Sequence, residues 1–268
     1  MPEISVITGA YNIGGCFSFN RSIESILNQT FRDIEFIICD DGSSDNTWEL
    51  LCDFAARDSR IKLLRNESNL GLAASLNKCL EIAEGAFIAR HDCDDISAEN
   101  RLELQISYLK EHPEISVLGC QSYLFDEGGI WGRDDFPLNI CPRDFLFNSP
   151  YRHGSVVFRR EALMAAGGYR VSGETYRTED YDLFMTLQTM CRGANLPDYL
   201  YYFCENSAAK KRRKYKYRLD EAKVRLRGFR KLGLLPAGLP YVVKPLVVGL
   251  IPQTLLDRMK DSYYKRKI

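Results

Sequence analysis

The sequence predicts an α/β fold: a Rossmann-like, mostly parallel sheet flanked by helices, followed by a basic helical tail. Three observations carry that reading. Over the first hundred residues, short apolar runs rich in β-branched residues alternate with helical stretches every 25 to 30 residues, the pattern of βαβ units and a parallel sheet. The fourth run ends in Arg90-His91-Asp92-Cys93-Asp94-Asp95, three carboxylates within four positions, and open α/β sheets bind ligands at the C-terminal ends of their strands. Charge is also segregated. Residues 1–209 carry 18 Lys+Arg against 32 Asp+Glu, and residues 210–268 carry 18 against 4, so a net charge of zero hides an acidic body and a basic tail.

Each element follows from local pattern. Residues 4–8 form a first strand, and Gly9-Ala10-Tyr11-Asn12-Ile13-Gly14-Gly15 a flexible connection. A helix over 18–29 places Ile23, Ile26 and Leu27 on one stripe. Residues 34–39 are a second strand. It runs into Asp40-Asp41-Gly42-Ser43-Ser44-Asp45-Asn46-Thr47, turn chemistry with an N-cap for the next helix. That helix, 47–56, puts Trp48, Leu51 and Ala55 on one face; 61–64 is a third strand, Asn69-Leu70-Gly71 leads into a helix over 73–83, and the strand 86–90 delivers the acidic cluster. Neither a Gly-x-Gly-x-x-Gly fingerprint nor a P-loop follows the first strand, which argues against a dinucleotide-dependent dehydrogenase or a P-loop enzyme.

After residue 100 the pattern changes. Residues 101–111 are helical until Pro113 stops them, and 115–118 and 121–125 read as strands before the Gly128-Gly129 turn. The segment 130–150 is irregular, rich in Pro, Asn and aromatic residues. A strand over 153–158, a short helix over 160–166, an amphipathic helix over 179–190 with Leu183, Phe184 and Leu187, and an aromatic strand over 196–203 complete this half.

The tail opens on Lys210-Lys211-Arg212-Arg213-Lys214-Tyr215-Lys216-Tyr217-Arg218, seven basic positions of nine. Residues 232–256 are apolar but broken by Pro236, Pro240, Pro245 and Pro252, with Lys244 inside. Such a run is poor as a spanning helix and better as an interfacial segment, its basic face on anionic lipid and its apolar face at the headgroup boundary. The plainer alternative is a helix packed on the protein's own core with a solvated charged face. Nucleic acid is the other anionic partner to weigh, but no nucleic-acid-binding module accompanies the tail, so none is expected.

At 268 residues, 45% hydrophobic and 27% charged, the composition is that of a soluble globular chain with ample length for a core. The N-terminus Met1-Pro2-Glu3-Ile4 shows no signal-peptide pattern. Nine cysteines, no two closer than thirteen positions, argue against a zinc site or disulfide framework and for reduced thiols in a cytosolic protein. Carboxylates packed as closely as Asp92, Asp94 and Asp95 repel one another. A hard divalent ion, held by one or two of them with phosphate and water completing its shell, would offset the repulsion. A solvated acidic turn is the alternative for an isolated D-x-D-D.

Together these pieces resemble a family 2 glycosyltransferase. Val6-Ile7-Thr8 with Tyr11-Asn12, Ser25-Ile26-Leu27-Asn28-Gln29-Thr30, and Ile38-Cys39-Asp40-Asp41-Gly42-Ser43-Ser44-Asp45 match the start of that family. Asn69-x-Gly71 and Ala83-x-Gly85 continue it, and Asp92-Cys93-Asp94-Asp95 matches its D-x-D-D site. Arg159 and Gly167-Gly168-Tyr169-Arg170 resemble its acceptor-side segment, and Thr178-Glu179-Asp180-Tyr181-Asp182-Leu183 the E-D segment that carries the catalytic base. The resemblance spans about residues 3–205. It implies a GT-A fold, with 1–209 as catalytic domain (1–100 the nucleotide-sugar half, 101–209 the acceptor half) and 210–268 as tail, a nucleotide-sugar donor, and inversion at the anomeric carbon.

The resemblance also assigns roles. Asp40 would accept the uracil N–H of a UDP-sugar, or else cap the helix after its turn. Thr8, Ala10 and Tyr11 would line base and ribose, although a lone aromatic such as Tyr11 is more commonly core. Asp92 would hold ribose or metal and Asp94 the metal, Mn²⁺ or Mg²⁺, which neutralises charge on the leaving diphosphate. Asp95 would touch this site secondarily, bond within its loop or cap the next helix. An inverting displacement through an oxocarbenium-like transition state needs a general base opposite the leaving group. Asp180 takes that role, at a helix start whose dipole keeps a carboxylate ionised, with Glu179 and Asp182 as rivals. His153 would touch the acceptor or diphosphate, or be structural.

There are two departures. His91 stands where the family often has an apolar residue, and no cation follows the late strand in Cys204-Glu205-Asn206-Ser207, where Lys210 or Arg212 could supply the charge instead. The expected protein is an inverting, metal-dependent transferase. It would carry sugar from a UDP-sugar to a lipid-linked saccharide while peripheral on the cytoplasmic face of the membrane, as in bacterial surface-polysaccharide assembly. The alternative of a different class is a non-catalytic module on the same fold that binds sugar nucleotide or polysaccharide. A nucleotidyltransferase is disfavoured, because it typically has a basic phosphate loop after the first strand and residues 9–15 contain no Lys or Arg.

Overall fold

A computed structural model describes residues 1–205, 215–252 and 255–256. The first hundred residues fold as their alternation dictates. Strands β1 (Ile4–Ala10), β2 (Ile34–Asp40), β3 (Ile61–Arg65) and β4 (Phe87–Arg90) pair in parallel in the order β3-β2-β1-β4. Every residue of β2 is buried, as a central parallel strand covered on both faces requires. Its side chains alternate: Ile34, Phe36 and Ile38 join one core cluster and Ile37 and Cys39 the other. Helices α1 (Phe19–Leu27) and α2 (Thr47–Arg57) cover the first face with Ile23, Ile26 and Leu51, while α3 (Leu72–Ile82) covers the second with Leu76 and Leu80. Ala10 lies opposite Asp40, and Ile7 opposite Arg90. The register therefore brings the ends of β1, β2 and β4 to one sheet edge, where the acidic cluster emerges.

Beyond residue 90 the sheet becomes mixed. It contains β5 (Ile96–Ser97), β6 (Ile115–Asp126), β7 (Gly129–Asp134), β8 (Val157–Arg159) and β9 (Arg192–Cys204), with α4 (Arg101–Glu111), α5 (Arg160–Ala165) and α6 (Glu179–Leu187) between them. The order continues from β4 as β8-β6-β9-β5, with β7 on β6. β8 is antiparallel to β4 and β6, and β9 is parallel to β6.

Several expected boundaries move, each for a local reason. The strands expected at 115–118 and 121–125 are one, because β6 carries a register shift at Cys120 and Gln121 rather than a break. β9 begins earlier than expected and absorbs Pro197 because its pairing jumps from Leu196 to Tyr199. β7 lies inside the segment read as irregular and pairs with β6 across a tight turn. The strand expected at 153–158 starts only at Val157, since His153–Ser155 is a 3-10 turn. α6 stops at Leu187 instead of 190. All nine cysteines are free.

Of the tail, residues 210–214, 253–254 and 257–268 lie outside the described residues, and so does most of the basic run. Helices α7 (Tyr215–Lys231) and α8 (Leu239–Val248) are described. α7 buries Val224 and Phe229 completely, in the cluster that holds α3 and α6. Arg225 is buried too, donating from Nη1 to Leu146 O at 3.0 Å and from Nη2 to Phe147 O at 3.1 Å. Truncating a fully buried phenylalanine typically costs about 3–5 kcal/mol. Phe229→Ala is expected to lose stability on that scale in denaturant unfolding. A loss under about 1 kcal/mol, the level of a surface change, would mean that α7 is no part of the core.

Candidate active site

Arg90 ends β4 with no exposed surface. Its guanidinium pairs with Asp92, and Nη1 reaches Ile7 O and Thr8 Oγ1, both at 3.4 Å. Enclosure pushes the Asp92 carboxyl up, but the Arg90 charge and hydrogen bond, together with the nearby imidazoles, outweigh it and the group ends below its ordinary range. The first acid is therefore offset by the protein itself, which no pattern in the sequence announced. Asp94 is partly exposed and, among the described residues, has no ion-pair partner. Enclosure and the Asp92 charge push it up to about 7. Asp95 turns inward, its Oδ1 accepting the Cys204 N–H at 2.7 Å, so it ties the loop to β9 and leaves the cleft to its neighbours.

His91 is buried between two serines, Nε2 at 2.9 Å from Ser22 Oγ and Nδ1 at 3.3 Å from Ser97 Oγ. Burial holds its pKa well below the ordinary value, so it is a neutral strut joining β4 to α1 and β5. Two hydroxyl partners are what let a histidine occupy an apolar position. On the other side of the cluster the Tyr201 hydroxyl accepts the Asp92 N–H at 3.1 Å. Gly154 closes this layer: a Cβ there would fall on the Tyr201 hydroxyl and 2.9 Å from Asp92 Oδ2. The 3-10 turn thus replaces strand so that the backbone can approach the acid.

Beside the cluster lies a cavity of about 270 Å³ between the ends of β1 and β2 and the loop that precedes α6. Ala10 and Tyr11 line it, and Tyr11 is 39% exposed, a cavity wall rather than core. Thr8 is buried behind that wall, its hydroxyl donating to His91 O. Asp40 is also buried: Oδ1 accepts the Ser43 N–H at 3.1 Å and Oδ2 pairs with Arg65 Nε at 3.1 Å. It builds the turn and does not line the cavity. Asp41, not singled out from the sequence, does line it. Its carboxylate accepts Asn66 Nδ2 at 2.7 Å and the backbone N–H groups of Leu70 and Gly71 at 2.8 Å each. Gly42, at φ +69°, supplies the left-handed reversal after this pair.

The E-D segment closes the other wall. Glu179 lines the cavity, and enclosure with the nearby Asp180 charge pushes it up to about 7. Asp180 accepts the Tyr181 N–H at 2.8 Å, yet enclosure and the Asp92 charge push it up to about 6. Enclosure thus raises the carboxyl at this helix start without neutralising it at neutral pH. Asp182 is held bidentately by Arg170 at 2.9 and 3.0 Å, which commits it to tethering the loop. His153 Nε2 lies 2.8 Å from the Tyr169 hydroxyl, and burial pushes the imidazole down to about 3, so it is neutral. The structure thus brings together Asp92, Asp94, Glu179 and Asp180 and sets Asp40, Asp95 and Asp182 to structural work. Among the described residues no three His, Cys, Asp or Glu side chains converge on one point. An ion here would rest on one or two carboxylates and take its other ligands from phosphate and water, as Mg²⁺ and Mn²⁺ commonly do.

Residues 5–171 match the family model described as Glycosyl transferase family 2. EpsE of Bacillus subtilis, named as a glycosyltransferase, is 38% identical over 269 residues, covering 100% of this chain and 95% of its own. WfgD of Escherichia coli, named UDP-Glc:alpha-D-GlcNAc-diphosphoundecaprenol beta-1,3-glucosyltransferase, is 36% identical over 184 residues, 69% of each chain. Among solved structures, S. aureus TarS in complex with UDP-GlcNAc superposes with a TM-score of 0.72 at 19% identity, over 90% of this chain and 73% of its own. The mannosyltransferase PcManGT of Pyrobaculum calidifontis, in complex with GDP-Man and Mn²⁺, gives 0.63 at 20% identity over 98% and 80%. At those identities the two structures speak for the fold alone.

Proposed function

The chain belongs to glycosyl transferase family 2 and has the GT-A fold, and we propose that it transfers a sugar from a UDP-sugar to a lipid-linked saccharide, with inversion, in bacterial surface-polysaccharide assembly. One observation carries the chemistry. Glu179 lines the cavity at the ends of β1 and β2, and Asp180, Asp92 and Asp94 lie near enough in turn to shift one another's charge, a chain of four carboxylates leading from the cavity wall. In this reading Gly9, Ala10, Tyr11 and Asp41 take the nucleoside, while buried Thr8 and Asp40 hold the strand ends that carry them. Asp94 and Asp92 hold Mn²⁺ or Mg²⁺, which offsets charge on the departing diphosphate. The fit rests on Asp94, an acid pushed up beside Asp92 with Arg90 already committed to the latter. Asp180 takes the proton of the acceptor hydroxyl as that oxygen attacks the anomeric carbon. Arg90 orients Asp92, and Tyr169 and neutral His153 shape the acceptor wall. The UDP-sugar and the lipid-linked acceptor are argued from the name of the relative WfgD. Inversion is tested on the product: proton NMR should show a β-linkage formed from an α-configured UDP-sugar, and an α-linked product would contradict it.

The tail supports a membrane-surface location. Leu239, Val243 and Val247 of α8 are 46–55% exposed, close in sequence to a basic α7, and among the described residues no helix is long and apolar enough to cross a membrane. The protein is expected to float with vesicles rich in anionic lipid and to release as salt rises. Equal binding to neutral vesicles, or none to either, would contradict an electrostatic surface mode.

A further inference from the structure

One charge in the cleft is left unused by the reading above. Arg177 is the one cation lining the cavity among the described residues. Arg90 is committed to Asp92, while Asp41 and Glu179, also on the wall, are acids. A nucleoside diphosphate entering this space needs positive charge on more than the metal side. The sequence shows none at Cys204 and Glu205, where β9 ends, and Lys210 and Arg212, the alternative suppliers, lie outside the described residues.

The backbone of Arg177 is unusual as well. Its φ is +71°, a left-handed conformation that side-chain-bearing residues seldom adopt. Such a conformation persists where the surroundings impose it, and it clusters at functional sites. Here α7 imposes it. The Arg177 guanidinium lies 5.3 Å from the Tyr217 ring centre and 6.0 Å from that of Tyr176. The two rings pack 5.5 Å apart. Three residues earlier in the same loop, Glu174 is gripped by Arg227 of α7 at 2.9 Å. Tyr176 reaches the opposite wall, its ring 3.7 Å from where a Cβ on Gly71 would sit. The loop thus spans the cavity, and α7 holds it from behind.

We propose that Arg177 binds the diphosphate of the donor and that Tyr217 of α7 positions it. The proposal rests on the cavity being the nucleotide-sugar site. It makes the first tail helix a working part of that site, besides any role at a membrane.

Titration calorimetry of the full chain with UDP and with uridine, both with Mn²⁺ present, tests it on Arg177→Gly, Arg177→Lys and Tyr217→Ala. Glycine adopts positive φ freely, so Arg177→Gly should fold and melt like the parent. Its affinity for UDP should fall roughly tenfold or more, while uridine stays within about twofold, because only the phosphates lose a charged partner. Arg177→Lys should recover part of the loss, and Tyr217→Ala should weaken UDP while sparing uridine. Unchanged UDP affinity in Arg177→Gly, or equal losses for UDP and uridine, would overturn the proposal and leave the nucleotide site standing. A parent protein that binds neither UDP nor GDP would overturn the nucleotide site and the proposal with it.

Discussion

Asp180→Asn is expected to lower kcat by about a thousandfold while UDP binding stays close to the parent value. A positioned general base contributes on the order of 10²–10⁴, and asparagine keeps the size and the hydrogen bond to the Tyr181 N–H while losing the ability to take a proton. The carboxyl is set for the task. Enclosure and the Asp92 charge push it up to about 6, so it is basic enough to accept a proton and still ionised at neutral pH. The base must be unprotonated, so activity is full above that value and is lost as pH falls through it. kcat/KM at pH 5 should be about a tenth of its plateau, and a profile flat to pH 5 would contradict the assignment. Glu179 is the remaining rival, since Asp182 is spent on Arg170. Because Glu179 lines the nucleotide cavity, Glu179→Gln should act on the donor KM more than on kcat. If instead Glu179→Gln abolishes turnover and Asp180→Asn retains it, the role passes to Glu179.

Asp94→Ala is expected to cost about a thousandfold in kcat/KM, the several kcal/mol that a metal supplies to a developing charge. It should also make the metal-free protein more stable. The sign follows from the shift. The folded pKa of Asp94, about 7, lies above its ordinary 3.8, so the fold disfavours the ionised form. That destabilisation is absent at low pH, grows as pH rises from the unfolded pKa towards 7, and is fully present above it. At pH 8 without metal the variant should therefore melt higher than the parent. Mn²⁺ should raise the melting temperature of the parent and leave the variant unmoved. A variant that keeps its activity, or still gains stability from Mn²⁺, would remove Asp94 from the site. Higher stability with lower activity is the usual mark of a position held for function.

What the sequence revealed, and what it hid, divides along the range of the interactions. β1 to β4 were legible because each is a short apolar run between helical stretches, and β1–β2 and β2–β3 pair across a single helix, although β4 returns to pair with β1. β5 has two residues, and β7 is Gly-Ile-Trp-Gly-Arg-Asp, with neither length nor alternation to announce it. β8 exists because β4 and β6 pair with it from about 70 and 40 residues away, which no local window can see. The same holds at the site. The D-x-D-D and E-D acids were legible as local motifs. That Arg90 offsets Asp92, that Asp95 ties to Cys204, and that Asp182 is held by Arg170 depend on side-chain direction and on pairings closed in three dimensions. Asp40 and Asp41 look equivalent in sequence; only the turn at Gly42 decides which faces the cavity. Arg90 was visible as a charge closing the apolar run Ala86-Phe87-Ile88-Ala89, but its pairing with Asp92 was not.

Release of nucleoside diphosphate from a panel of UDP- and GDP-sugars, with Mn²⁺ and then with excess EDTA, tests the central claim most directly. The account predicts release from a UDP-sugar, slow with water alone and faster when a membrane extract supplies lipid-linked acceptor, and its arrest by EDTA. Tight, metal-dependent UDP binding with no release from any donor, even with the extract present, would contradict it and make the protein a binding module on a transferase fold.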